Sequence, residues 1–228
     1  MTTQAVAFSL SGPGNNGGRL FSGTATDAAF TSINSTTGGS ELGFCLKGKT
    51  VTNVMMNGTA GGYAWAIKNR VTQTIDRCGF GSLTAGTPFN GYPIQPISIV
   101  QDHVLQSYTL AAGTTYLAWV KMHGRPPELF SGTIANGATG EMTTVTDSSS
   151  LGSFADQRIQ WIKVQGSDGK IVTYLQVFDA NGGESFAALG GERAVLGGIA
   201  PSACENLCVE GINVPIMRGM TLKLTVAA

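Results

Sequence analysis

The stretch that most constrains the fold is residues 158–179, RIQWIKVQGSDGKIVTYLQVFD. Two runs rich in β-branched and aromatic residues lie on either side of residues 166–169, whose Gly-Ser-Asp-Gly sequence is typical of a chain reversal. The pattern predicts a β-hairpin. Its second arm has apolar groups on both faces, so a second sheet or a neighbouring subunit is predicted to cover both sides.

Other strand-like runs recur at the spacing of an all-β sandwich or barrel, in residues 49–56, 63–75, 97–105, 114–122 and 221–226. Residues 88–96 contain three prolines, which predicts a crossing loop or an edge strand. Helix signals are scarce. Capping-box spacing from Ser202 predicts about two turns closed by Gly211, and residues 184–196 are a weaker candidate. The sequence therefore predicts an all-β fold, an antiparallel β-sandwich of the jelly-roll kind with long loops and one or two very short helices.

The first 40 residues are rich in glycine, serine and asparagine around a thin apolar segment, Arg19-Leu20-Phe21. Such a stretch cannot bury a core by itself. We interpret residues 1–40 as an extended N-terminal arm that lies on another element or chain, with a first edge strand as the alternative. Residues 41–228 are then one β-sandwich domain with a long polar projecting loop at about 125–154.

The composition excludes several classes of partner. Charged residues make up 12% of the chain, about half of ordinary usage, and 14 basic residues balance 14 acidic ones. Nucleic acids and anionic membranes both need a basic surplus, so neither is an expected partner. A neutral, ion-poor surface instead promotes association between proteins. The N-terminus lacks the regions of a signal peptide and no window is long and apolar enough to span a bilayer, so synthesis in a cytoplasm is expected.

One motif suggests nucleotide binding. Residues 43–50, GFCLKGKT, satisfy the phosphate-loop pattern G-x-x-x-x-G-K-[ST]. A working loop follows a buried strand and opens a helix, whereas a polar stretch precedes this one and a β-branched, glycine-rich stretch follows it. Phe44 and its neighbours resemble core-facing strand residues. Nucleotide binding is therefore not expected, and no cofactor is predicted.

Catalytic and metal-binding patterns are weak. Four thiols, of Cys45, Cys78, Cys204 and Cys208, would suffice for a structural zinc, but the usual knuckle spacing is absent and buried thiols without a metal or disulfide are expected. The two histidines, His103 and His123, have no nucleophile elbow to complete a triad, so structural roles are expected. The sequence therefore predicts a protein that is not an enzyme.

The glycine-rich, ion-poor texture, the extended N-terminus, the strand-after-strand pattern and the lack of a catalytic signature together resemble the virion structural proteins of tailed bacteriophages, in particular the capsid-decoration (cement) proteins. The apolar segment 211–220, broken by proline and glycine, would then suit an inter-subunit contact, with a strand that leads into 221–226 as the alternative. The resemblance implies a β-rich homo-oligomer, often a trimer. It also implies a location in the virion, bound to the major capsid protein or another virion protein and bridging neighbouring shell subunits.

Two alternatives remain: a phage tail, adaptor or fibre component, and a carbohydrate-binding β-sandwich that uses Trp65, Trp119 or Trp161 as sugar platforms. The residues expected at an interface are apolar or flank the apolar segments: Arg19, Leu20, Phe21, Val214, Pro215, Ile216 and Met217.

Overall fold

The computed structural model describes residues 2–83, 90–110, 115–166, 171–189, 194–195 and 207–228. The chain divides into two compact units: unit 1 runs up to Thr109, and unit 2 begins at Leu110. Strands dominate both units, so the predicted all-β, antiparallel, sandwich-like fold is confirmed. Within the described ranges, no helix has the length and hydrophobicity needed to cross a membrane.

The described residues of unit 1 form one short helix and eight strands. The helix is α1 (Leu42–Leu46). The strands are β1 (Thr3–Gly12), β2 (Asn15–Thr26), β3 (Thr31–Ser35), β4 (Thr50–Gly58), β5 (Gly61–Asn69), β6 (Ile75–Leu83), β7 (Asn90–Ser98) and β8 (His103–Thr109).

Among the described residues of unit 2, a 3-10 turn, Leu151–Phe154, takes the place of the α-helix. Its strands are β9 (Thr115–Met122), β10 (Glu128–Thr133), β11 (Thr139–Thr144), β12 (Arg158–Gln165), β13 (Ile171–Phe178), β14 (Glu184–Ala188), β15 (Ala194–Val195), β16 (Leu207–Pro215) and β17 (Thr221–Val226).

The two units have the same strand order. Unit 1 is ordered β6-β5-β8-β3-β2-β1-β4-β7, and unit 2 is ordered β14-β13-β17-β11-β10-β9-β12-β16, with β15 added beside β13. Numbered from the start of its own unit, and with β15 left out, each reads 6-5-8-3-2-1-4-7. In this numbering, strands 2-1-4-7 form one layer and strands 3-8-5-6 form the other. This is the arrangement of a jelly roll in which the strand that usually ends the chain comes first.

The sheet of each unit bends between its third and second strands. The β2–β3 pairing extends over two residue pairs, as does the β10–β11 pairing. The two ends of the strand order then approach each other. In unit 1 the Arg77 guanidinium on β6 donates to the carbonyls of Gln95 and Pro96 at 3.0 and 2.7 Å, and in unit 2 β14 lies next to β16. Each sheet thus encloses its own core.

The correspondence between the units extends to individual residues. The five-residue sequence Leu-Phe-Ser-Gly-Thr occurs at 20–24 in β2 and again at 129–133 in β10. In both copies the Phe-Ser pair forms the short link to the next strand, Phe21 opposite Ser35 and Phe130 opposite Thr144. Both phenylalanines are wholly buried. The same sequence therefore forms the link between strands 2 and 3 in both units.

Irregular features also recur at matching places. The pairing of strand 4 with strand 7 slips by two residues after Val51 in unit 1 and after Ile159 in unit 2. In the turn after strand 5, Asn69 Oδ1 accepts from the amide two residues on at 3.0 Å, and Asp179 Oδ1 does the same at 2.8 Å. Bulges and turn caps of this kind are specific features of a fold rather than defects. We conclude that the chain contains one sandwich unit twice.

The predicted hairpin at 158–179 is wrong, although both of its arms are strands. β12 pairs with β9 and β16, whereas β13 pairs with β14, β15 and β17, so the arms lie in different layers. Turn residues 167–170 lie outside the described part of the chain. A bulge after Val172 changes which face of β13 is buried, and Val172, Leu175 and Val177 point into the core. The other face is partly exposed, so the chain itself does not fully cover it, and cover by a neighbouring subunit stays a prediction.

The predicted N-terminal arm is also wrong. β1 pairs with β2 on one side and with β4 on the other, which makes it an interior strand. Phe8, Leu10 and Phe21 are wholly buried. Glycines and asparagines gave this region the composition of a linker, but its apolar residues alternate, as those of a half-buried strand do. Two compact units thus replace the predicted arm over 1–40 and single domain over 41–228.

The predicted projecting loop at 125–154 contains β10, β11 and the 3-10 turn. Phe130, Met142 and Leu151 anchor it in the core of unit 2, and the Gly, Ser and Thr residues between them suggested a loop. The helix candidate at 184–196 begins with a strand, Glu184–Ala188. The other candidate is a strand from Leu207 onward, and its start at 202–206 lies outside the described residues. The prediction of an edge strand for the proline-containing residues 88–96 is confirmed, since β7 lies at one end of the strand order of unit 1.

Tyr63 makes the stability of unit 1 sensitive to alkaline pH. Its side chain is wholly buried, its hydroxyl donates to the Thr59 carbonyl at 2.7 Å, and burial raises its pKa to about 12. The folded state holds this proton more tightly than the unfolded state, whose pKa is near 10. We expect the contribution to be intact below pH 10 and lost between about pH 10 and 12, up to about 2–3 kcal/mol. The free energy of unfolding, measured with denaturant between about pH 10 and 12, should fall less steeply with pH in Tyr63→Phe than in the wild-type chain. An equal pH dependence in the two proteins would contradict the assignment.

Candidate interaction surface

Three segments of unit 1 meet at one end of the sandwich: residues 41–49 around α1, the β5–β6 turn at 69–74, and the β7–β8 turn at 99–102. The Gly48 amide donates to the Ile99 carbonyl at 2.9 Å, and the Arg70 amide donates to the Asp102 carbonyl at 3.0 Å. Gly43 lies so close to the last turn that a Cβ there would be 2.1 Å from the Gln101 carbonyl oxygen. We call this surface the helix end of unit 1.

The helix end of unit 1 presents large apolar side chains to solvent. Phe44 is 77% exposed, Val71 is 70% exposed and Val100 is 45% exposed. They are three of the five exposed large apolar residues in the described part of the chain, the others being Leu20 and Met217. Because hydrogen bonds join the three segments that carry them, we take this end as the candidate interaction surface.

The corresponding end of unit 2 shows that the fold does not require these side chains. Ser153 follows Gly152 as Phe44 follows Gly43, and both glycines pack closely on the strand 7–8 turn of their unit. Asn181 corresponds to Val71, because each donates its amide to the Asx residue that caps the turn. Ser153 and Asn181 are exposed and polar. The apolar residues of unit 1 therefore add a property that the fold itself does not need.

The third position is apolar in both units. Val100 corresponds to Met217, since each amide donates to the side chain three residues on: the His103 Nδ1 atom at 3.2 Å and the Met220 sulfur at 3.3 Å. Met217 is 56% exposed. This tip therefore carries an exposed apolar side chain in each copy of the fold.

Charges of both signs surround the apolar residues of the helix end. Arg70 binds Glu41 at 2.7 Å and approaches Asp102 at 3.7 Å, and each of the three side chains is between 39 and 50% exposed. Lys47 Nζ donates to the Gln101 side chain at 3.1 Å. Such exposed ion pairs contribute little to stability. They are, however, placed to meet charges on an approaching surface.

The phosphate-loop match at 43–50 forms part of this end, with its elements in the wrong order for that motif. The helix α1 forms the first half of the match, whereas a phosphate loop is followed by its helix. At the end of the match a strand begins instead, β4 at Thr50. The loop amides point inward: that of Gly48 donates to Ile99 and that of Lys49 donates to Leu46. Phe44, predicted to face the core, lies on the exposed side of the helix. The match therefore reflects packing of the Leu42-Gly43 helix start rather than a phosphate cradle.

The histidine and cysteine residues form no chemical centre in the described part of the chain. His103 is buried; its Nε2 bonds Asp76 at 2.7 Å and its Nδ1 accepts from the Val100 amide, which is a structural role. Cys45, Cys78 and Cys208 lie on α1, β6 and β16, and Cys204 lies outside the described residues. No group of three or more potential metal ligands occurs within the described ranges.

Two of the three predicted sugar platforms are core residues. Trp65 is 3% exposed and Trp119 is wholly buried, so neither presents a ring face to a ligand. Trp161 is partly exposed, and the Lys163 ammonium lies 5.5 Å from its ring centroid. The carbohydrate alternative is thus reduced to Trp161.

The predicted interface residues fall into two groups, one in each unit. Leu20 and Met217 are exposed apolar residues, and Pro215 is also exposed. Arg19 and Val214 are partly buried, and Arg19 donates to the Ser35 hydroxyl at 3.1 Å. Phe21 and Ile216 belong to the cores of their own units, so the prediction is revised for these two. Sequence reasoning missed Phe44, Val71 and Val100. Comparing the two copies of the unit position by position would have singled out Phe44 and Val71 as apolar where the other copy is polar.

The comparisons with known proteins assign no family to this chain. No protein-family model matches the sequence, and neither curated proteins nor solved structures gave a match.

Proposed function

We propose that this chain is a non-enzymatic structural protein of a virus particle, a capsid-decoration protein that stabilises the shell by bridging neighbouring capsid subunits. The observation that carries the proposal is the duplicated sandwich unit. A chain that contains one unit twice can place two copies of the same fold on neighbouring subunits, because a shell presents equivalent subunits side by side. One chain can then contact two neighbours, and the second contact forms at a high effective concentration.

The composition supports the same role. With 12% charged residues and a formal net charge of zero, the surface has little long-range repulsion toward other proteins. A protein that binds the assembled shell but not its separated subunits stabilises the shell by mass action, by about 2.7 kcal/mol at a hundredfold excess over Kd. A tail, adaptor or fibre component would share these properties, and only its binding site on the particle would differ.

Particles that lack the protein should rupture at a lower temperature. We expect particles produced from a genome with a stop codon in this reading frame to release their nucleic acid several degrees earlier, as measured with a dye that fluoresces on bound DNA. Purified chain added back should cosediment with these particles and restore the wild-type temperature. Phe21→Ala, which disrupts unit 1, is the matched control and should restore less.

Failure of the purified chain to cosediment with particles would contradict the virion role. Cosedimentation with isolated tails but not with shells would move the protein to the tail alternative. A quench of Trp161 fluorescence by sugars, in a panel of soluble glycans, would instead favour the carbohydrate-binding alternative.

A further inference from the structure

We propose that the helix end of unit 1 binds the helix end of a second copy of this chain, in a two-fold contact centred on Phe44 and Val71. This inference goes beyond the shell role, because it concerns how the chains bind each other in solution. It rests on the side chains of the helix end and on their counterparts in unit 2.

The apolar residues supply the centre of the contact. Phe44 and Val71 are 77% and 70% exposed, whereas the equivalent Ser153 and Asn181 of unit 2 are polar. Because the sister unit folds with polar residues at both places, exposure of an aromatic and a β-branched side chain is a property of unit 1 alone. Aromatic side chains at the centre of an interface commonly carry much of its binding energy.

The charged rim is complementary to a copy of the same surface. Arg70 lies between two carboxylates, those of Glu41 and Asp102, and all three are partly exposed. In a two-fold contact a patch meets itself, so a rim with both signs can place the guanidinium of one copy beside a carboxylate of the other. A rim of one sign would repel its own copy and would favour a partner of opposite charge.

A specific contact needs about 800 Å² on each side, to which all three segments of the helix end would contribute. Phe44, Val71 and Val100 provide its apolar centre, and the 41–49, 69–74 and 99–102 segments provide a polar border. The zero formal net charge of the chain removes overall repulsion between two copies.

The test compares the mass of the wild-type chain with that of the double variant Phe44→Ser, Val71→Asn, measured by sedimentation at matched concentrations. Both replacements are the residues that unit 2 uses at the same places, so the variant should keep the wild-type circular dichroism and melting temperature. We expect the wild-type assembly to have twice the mass of the variant assembly, a ratio that further contacts keep when the assembly closes with dihedral symmetry. Equal masses would overturn the proposal.

Two further variants separate this surface from general stickiness. Met217→Asn removes an exposed apolar side chain from the equivalent tip of unit 2 and should leave the wild-type mass unchanged. A loss of mass equal to that of the double variant would overturn the assignment to unit 1. Arg70→Glu should halve the mass, and Arg70→Glu combined with Glu41→Arg should restore it; a wild-type mass for Arg70→Glu alone would overturn the two-fold rim pairing.

Discussion

Replacing Phe21 by alanine lowers the stability of unit 1 by about 3–5 kcal/mol and leaves unit 2 folded. Phe21 is wholly buried in the link between β2 and β3, where the sheet bends and both layers contribute to the core. Removing the ring leaves a cavity that neighbouring side chains can only partly fill. The large buried cluster of unit 2 consists of residues from Tyr116 to Val226 alone, so the damage should stay local.

Hydrogen exchange read by mass spectrometry measures this directly. Peptides from β1–β8 should lose protection in Phe21→Ala, and peptides from β9–β17 should keep it. The sister variant Phe130→Ala, in the second copy of the Leu-Phe-Ser-Gly-Thr sequence, should give the opposite pattern. Equal loss of protection in both units after either replacement would show that the chain unfolds as one cooperative body and would contradict two separate cores.

Replacing Gly43 by alanine destabilises unit 1 by about 1–3 kcal/mol or more. A Cβ at this position would lie 2.1 Å from the Gln101 carbonyl oxygen and 2.6 Å from that of Val100. Both obstacles are backbone, so the β7–β8 turn or α1 has to move. That movement would separate the three segments of the helix end, and we therefore expect weaker self-association as well as lower stability.

Calorimetry measures the loss of stability in Gly43→Ala. In a domain of about this size each kcal/mol lowers the melting temperature by about 4–8 °C. Gly17→Ala is the matched control, since nothing lies within 4 Å of a Cβ at that position. It should leave the melting temperature nearly unchanged. A Gly43→Ala variant as stable as this control would show that the close packing of α1 is not needed.

Stabilisation of the wild-type chain by ATP would contradict our interpretation of the phosphate-loop match.

The strands could be predicted from the sequence because their signal is local. Alternating apolar residues and β-branched content locate 221–226 and most of 49–56 and 114–122. Proline content places 88–96 at an edge, because a proline cannot donate to a ladder. The duplication was also present in the sequence, as the repeated Leu-Phe-Ser-Gly-Thr, but this repeat is short and the rest of the two halves has diverged. Recognising it would have indicated two units in place of an arm and one domain.

The interaction surface could not be predicted in the same way. Phe44 has the hydrophobicity of a core residue, and only the packing of Leu42, Gly43 and Leu46 against unit 1 turns it outward. Val71 lies in a turn whose partner, the β7–β8 turn, is about thirty residues away in the chain. The opposite error occurred at Phe21 and Ile216, which suited an interface by composition but are buried in their own units.

The sequence by itself determined that this chain forms antiparallel strands and that one segment occurs twice. Tertiary structure alone decided which strands pair, which apolar residues reach solvent, and that strands as close in sequence as β12 and β13 lie in different layers. The physical reason is that a strand's hydrogen bonds and one of its faces must be satisfied by other segments. Local pattern can therefore show that a strand forms, but only the assembled unit settles its neighbours.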